Sequence, residues 1–313
     1  MEGKDLLSIS DLNCDDILSL IADAIDTKAR GWFSLLDEKV LALLFEKPSL
    51  RHRVSFEVAM RQLGGEAIYI SPAEVGLGKR ESVPDVARVL SRYVDAIAAR
   101  TFSHQTLEIL ARHSDVPVIN ALSDVEHPCQ ALADLFTIYE KKGELDGLTL
   151  AFLGDGNNVA HSLLLATSLT GMNFRIASPP GYAVQPRILQ MAQEYAADSG
   201  AEILCTEEPK LAVSGADIVY TDVWASMGQE SEAQARRAVF ANYQVNEQLL
   251  SLAREDAILM HDLPAHRGEE VSEDILDGPQ SVVFDQAENK MYLLKALLAQ
   301  MLGGLGMPLA GYH

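Results

Sequence analysis

Cysteine is scarce in this chain: three in 313 residues, Cys14, Cys129 and Cys205. An odd number spaced far apart excludes a disulfide framework and a Cys-x-x-Cys metal site, and it fits a reducing cytosol. Basic residues are also short, 25 Lys+Arg against 45 Asp+Glu, for a formal net charge of -20. That deficit disfavours nucleic acid or an anionic membrane as partner, since both select basic surface. An anionic substrate then needs a local basic pocket that overrides the field of the whole chain. No apolar run approaches the ~18 residues of a membrane span. No basic-then-apolar leader marks the start, and neither internal repeats nor low-complexity tracts occur. The expectation is a soluble, cytoplasmic protein.

What is present is an ordinary globular composition, 48% hydrophobic and 22% charged. The length is enough for about two domains of roughly 100–200 residues each. Ten short apolar runs read as strands: 40–45, 67–71, 96–101, 116–119, 149–154, 174–178, 202–205, 217–220, 257–261 and 282–285. Amphipathic segments between them predict helices at 11–29, 49–63, 82–92, 104–113, 129–142, 157–170, 184–198, 245–254 and 286–302. Such alternation predicts an α/β protein with parallel sheets and right-handed crossovers. The polar turn at 141–147 is the natural domain boundary. Ligands of open α/β sheets bind at the carboxyl ends of strands, so the residues after each strand carry the interest.

Four such segments stand out. In Phe45-Glu46-Lys47-Pro48-Ser49-Leu50-Arg51-His52-Arg53, Ser49 is a good helix cap, and two arginines fall in the first helical turn, where basic residues are disfavoured. An anion held on the helix N-terminus explains them as well as a solvated surface does. His127-Pro128-Cys129-Gln130 opens another helix with groups able to donate to a carbonyl or phosphate oxygen; its His/Cys spacing does not suit zinc. Gly154-Asp155-Gly156-Asn157-Asn158-Val159 follows a strand as a dinucleotide loop would. It lacks the third glycine, and 176–179 lack the acid for a ribose hydroxyl, which argues against NAD. Asn158 remains a polar contact at that helix start. The fourth segment is split between 221–230, with Asp222 and Ser226 placed to hold an ammonium group, and 261–268, where His266 and Arg267 add positive charge.

Together these segments resemble the aspartate/ornithine carbamoyltransferase family, its ornithine branch most closely. The family's motifs are Ser-Thr-Arg-Thr-Arg between Phe-Glu-Lys-Pro and Val-Ser-Phe-Glu, then His-Pro-Cys-Gln, Gly-Asp-Gly-x-Asn, Asp-x-Trp-x-Ser-Met-Gly-Gln-Glu and His-Cys-Leu-Pro-Ala-His-Arg-Gly-Glu-Glu. All five have counterparts here, in order, over nearly the whole chain. The resemblance implies two doubly wound parallel-sheet domains of similar size. Residues 1–142 would bind carbamoyl phosphate, with 291–313 packing back on them, and 148–290 would bind the amino acid. It implies a homotrimer, no metal or organic cofactor, and transfer of the carbamoyl group of carbamoyl phosphate to the side-chain amine of L-ornithine, giving L-citrulline and phosphate. Carried over by position, Ser49, Leu50, Arg51, His52, Gly76, Arg100, His127, Gln130, Leu263 and Lys290 bind carbamoyl phosphate. Asn158, Asp222, Ser226 and Met227 hold ornithine, while Arg100, His127 and Asp262 act in catalysis.

Departures from the family pattern cluster in these same positions. Leu50 and His52 replace two threonines, Gly76 stands where bacterial ornithine enzymes usually carry a glutamine given to the neighbouring subunit, and Lys290 replaces an arginine. Asp262 replaces a cysteine whose place lies beside the reacting amine. A carboxylate there binds the ammonium form of the acceptor and also offers a base. Two other readings follow from these changes: carbamoyl transfer to another amine, or a paralogue that binds ligand without catalysing.

Overall fold

The computed structural model describes residues 1–31, 34–78, 80–225 and 230–303. It divides into two units, one of residues 1–136 with 288–313, the other of residues 137–287.

The first unit carries a parallel sheet of β1 (Val40–Phe45), β2 (Glu66–Ile70), β3 (Ala96–Arg100) and β4 (Val118–Leu122) in the order β2-β1-β3-β4. β1 reads Val-Leu-Ala-Leu-Leu-Phe and is almost wholly buried, as a strand covered on both faces must be. The helices α1 (Cys14–Arg30), α2 (Leu50–Gln62), α3 (Val83–Leu90) and α4 (His104–His113) also belong to this unit. Ala42, Leu44, Val86, Ile97, Leu107 and Leu110 meet in one of its cores. From β1 the chain moves outward to β2, then returns to lay β3 on the other side. The switch point therefore lies between β1 and β3, with Phe45 level with Arg100.

The helix α5 (Pro128–Lys142) begins in the first unit and runs into the second. There β5 (Thr149–Leu153), β6 (Asn173–Ala177), β7 (Ile203–Thr206), β8 (Ile218–Thr221) and β9 (Ile258–Met260) form a parallel sheet in the order β7-β6-β5-β8-β9. Helices α6 (Asn158–Leu169), α7 (Pro186–Ser199) and α8 (Ala233–Phe240) belong to this unit. Its core joins Leu153, Val219 and Leu259 from the sheet to Phe240 and Trp224. Here the switch point falls between β5 and β8.

The run at 282–285 is no strand. Ser281 makes an isolated bridge with Leu259, and Val283 then opens α9 (Val283–Met301). The apolar Val-Val-Phe triplet is too short to set a period, and the helix-forming residues that follow it decide the conformation. The helix expected at 245–254 contracts to Glu247–Leu250, capped by Asn246. From Glu288 onward α9 belongs to the first unit. It is fixed there by Lys28 Nζ donating to Asn289 Oδ1 (2.8 Å) and Gln300 Nε2 donating to Asp23 Oδ2 (2.6 Å).

Candidate active site

Each switch point gathers a group of polar side chains. In the first unit the group is built around His52. Ser49 caps α2 and accepts from the His52 N–H, which places Leu50, Arg51 and His52 in the first turn. Arg100 ends β3 at a register shift against β4. His127 stands just ahead of α5, its preceding residue Glu126 held by the N–H of Ile9 (3.0 Å).

The imidazole of His52 is buried and meets donors on both sides. Ser49 Oγ lies 2.8 Å and Arg100 Nη1 3.2 Å from Nδ1, while His127 Nε2 lies 2.8 Å and Lys290 Nζ 3.0 Å from Nε2. The two imidazoles stack at 4.7 Å between centroids. Lys290 also donates to Gln130 Oε1 (3.0 Å), and Gln130 Nε2 donates to Asp134 Oδ1 (2.8 Å), which fixes the glutamine amide. Burial, then the charges of Lys290, His127, Arg100 and Arg51, push the His52 pKa well below the ordinary imidazole value, so the ring is neutral. A chain of net charge -20 thus gathers a local group of cationic side chains around His52.

Several nearby residues lie outside this group. Arg53 turns outward, pairing with Glu57 (2.8 Å) and lying over the Tyr69 ring. Leu50 is 77% exposed. Gly76 sits at φ 50 after the turn Pro72–Val75, with its N–H on Pro72 O and its carbonyl on Arg80 N. Cys129 is fully buried and its thiol is pushed up to about 12 by that burial, which leaves it inert.

In the second unit the loop after β5 owes its course to Gly156. A Cβ there would lie 2.3 Å from Val184 N, so only glycine fits the close approach. Asn157 caps α6 through Oδ1, accepting from Val159 and Ala160 (3.0 and 3.1 Å), and its Nδ2 donates to Asp222 Oδ2 (2.7 Å). Asn158, chosen from the sequence, is the first helical residue beside it. Sequence reading missed Asn157, although an asparagine at a helix cap with a free amide was the available signal. It also missed Asp155, which pairs with buried Arg236 (2.6 Å); Arg236 in turn holds Trp224 O (3.0 Å) and so anchors the loop after β8. Ser226 and Met227 lie outside the described residues.

Asp222, after β8, faces Asp262, after β9. Burial, then the Asp262 charge and hydrogen bond, raise the Asp222 pKa well above the usual carboxylate value. His261 lies behind them, fully buried, with Nε2 3.1 Å from Glu270 Oε1 and Nδ1 accepting from Leu263 N–H (2.9 Å). Burial works against a charged ring here, but Asp262 and Glu270 outweigh it and raise the His261 pKa. Leu263 itself takes φ 57, a left-handed conformation unusual for leucine. Arg267 is turned to Asp277 in a bidentate surface pair (2.6 and 2.9 Å), and His266 is exposed. One ligand atom each from Asp222, His261 and Asp262 lies within 4.8 Å of the others, a set that attracts a cation, whether an ammonium or a metal ion.

The two units correspond closely to two domain models. Residues 4–140 match the carbamoyl-P binding domain of aspartate/ornithine carbamoyltransferase, and residues 146–301 match its Asp/Orn binding domain. The chain belongs to the aspartate/ornithine carbamoyltransferase family. Among curated members, the ornithine carbamoyltransferase of Bacillus subtilis is 52% identical over 300 residues, covering 96% of this chain and 94% of that one. The anabolic ornithine carbamoyltransferase of Pyrococcus furiosus is 49% identical over 309 residues, covering 97% and 98%. The solved ornithine carbamoyltransferase structure from Pyrococcus furiosus superimposes with a TM-score of 0.94 at 48% identity, covering 98% of this chain and 99% of that one. The family fold is kept along nearly the full length of the chain.

Proposed function

We infer that this chain is an ornithine carbamoyltransferase, converting carbamoyl phosphate and L-ornithine to L-citrulline and phosphate. The observation that carries the reading is the cationic group of Arg51, Arg100 and Lys290 at the switch point of the unit matching the carbamoyl-phosphate domain. Arg51 and the start of α2 bind the phosphate, with Ser49, Leu50 and Gly76 around it. Arg100, His127 and Gln130 address the carbamoyl oxygen. The amine nitrogen attacks the carbonyl carbon, negative charge grows on the carbonyl oxygen, and the bond to the phosphate oxygen then breaks. Donors aimed at that oxygen are worth roughly 3–4 kcal/mol each in comparable sites.

Asn158, Asp222, Ser226 and Met227 bind the amino acid. Asp262 takes the proton that the amine loses on attack. A carboxyl pair where the family has one carboxylate also favours acceptors with a cationic end, and a second reading therefore has a diamine or modified amino acid in ornithine's place. The chain forms a homotrimer in the cytoplasm and uses no metal; the family resemblance and the scattered cysteines support this, and light scattering would read a mass near three times 34.1 kDa. Among the described residues no helix is long and apolar enough to cross a membrane.

The deciding assay is citrulline formation from carbamoyl phosphate and L-ornithine between pH 6 and 9.5, beside an Asp262→Cys variant. Turnover in the wild type supports the reading. Turnover with another amine and none with ornithine moves the reading to the second acceptor class.

A further inference from the structure

His52 stands between groups that it cannot satisfy together. An arginine only donates, so Arg100 on Nδ1 requires that nitrogen's lone pair. A neutral imidazole has one lone pair, and its hydrogen is then on Nε2, where it suits His127. Yet Lys290 Nζ, also a donor when charged, lies 3.0 Å from that same Nε2. Assigning the hydrogen the other way moves the conflict to Arg100. Lys290 also donates to Gln130 Oε1, and the Gln130 amide donates to Asp134, which joins a carboxylate to the group.

We propose that His52 is the proton-accepting member of the phosphate pocket: a phosphate dianion entering among Arg51, Arg100 and Lys290 brings a proton onto His52. The proposal rests on the carbamoyl-phosphate reading of this unit. The dianion's oxygens take the hydrogen bonds of Arg100 and Lys290, which frees both ring nitrogens to donate. Burial first, and then the surrounding cations, keep the ring neutral, and the dianion's two negative charges offset the second of these causes. The proton comes from solvent and adds to the ring lone pair, and no covalent bond breaks. His52 thereby supplies with a charge what the resemblance assigns to a threonine hydroxyl.

Linkage sets the sign. Between the ring's low value in the empty site and its higher value in the complex, binding takes up a proton, so affinity falls as pH rises, by up to about tenfold per pH unit. The probe is the unreactive phosphonate analogue of carbamoyl phosphate, in which CH₂ replaces the bridging oxygen. Calorimetric titration at pH 8.5, where the ligand is already a dianion, in two buffers of different ionisation enthalpy counts the protons. The wild type should take up a substantial fraction of one proton per site, and His52→Gln and His52→Thr none. Ring ¹⁵N shifts of His52, recorded with and without the analogue, read the same event without a variant. Binding with equal uptake in wild type and variants, or with proton release, overturns the proposal and leaves the phosphate reading standing. Absence of binding by the wild type overturns both.

Discussion

Asp222 and Asp262 show how one side chain can set both stability and chemistry. In the unfolded chain a carboxyl group titrates near ~3.9, but folded Asp222 holds its proton well above that because it is buried against a second carboxyl. The native state therefore binds more protons than the unfolded state as pH rises from about 4, and stability is lost through that window. Asp262→Asn removes the opposing charge. It should raise Tm at pH 8 and leave it unchanged at pH 4, while slowing citrulline formation by about 10²–10⁴-fold through loss of the base. An unchanged Tm at pH 8 would show that the two carboxyl groups do not compete. Arg100 makes a different case, since the guanidinium that the proposed reading aims at the reacting oxygen also holds His52. Arg100→Ala should lower kcat by about 10²–10³-fold, and a loss confined to KM would place the residue in binding alone.

Elements place these residues by a simple rule: the chain reverses direction across each sheet, and the loops that follow the two strands at the reversal converge. The loop after β5 depends on Gly156, whose Cα faces the backbone at Ala183 and Val184. Gly156→Ala introduces a carbon against backbone that cannot rotate away. It should cost about 1–3 kcal/mol, seen as a lower denaturation midpoint, and should weaken amino-acid binding before phosphate binding. The parallel sheets were legible in the sequence because strands buried on both faces are continuous apolar runs, as β1 and β5 are. The run at 282–285 looked the same over four residues and was the start of a helix. The positions of Ser49, His127 and Asp222 could be read from their strand ends. The environment of His52 could not, since Lys290 arrives from a helix 238 residues away. Nor could the partnership of Asn157 with Asp222, two residues 65 apart that only the β5–β8 pairing brings together.

At the scale of the whole molecule, a net charge of -20 acts on the two substrates with opposite sign. Carbamoyl phosphate approaches as a dianion and is repelled by the chain's overall field, then captured by the cations gathered around His52. Salt at 0.15 M screens exposed charges beyond a Debye length of about 8 Å but screens buried close pairs much less. Added salt therefore weakens the long-range repulsion more than the capture. Ornithine carries two ammonium groups and one carboxylate, so the same field attracts it, and salt removes that help. Raising an inert salt from 10 to 150 mM should lower or hold the KM for carbamoyl phosphate while raising the KM for ornithine, each by no more than about threefold. The salt's anion must not resemble phosphate, or competition at Arg51 and Arg100 would mask the first effect. Initial rates with one substrate saturating separate the two constants. If both rise together, the local pocket rather than the overall charge governs approach, and substitutions of distant surface acids should then leave both constants unmoved.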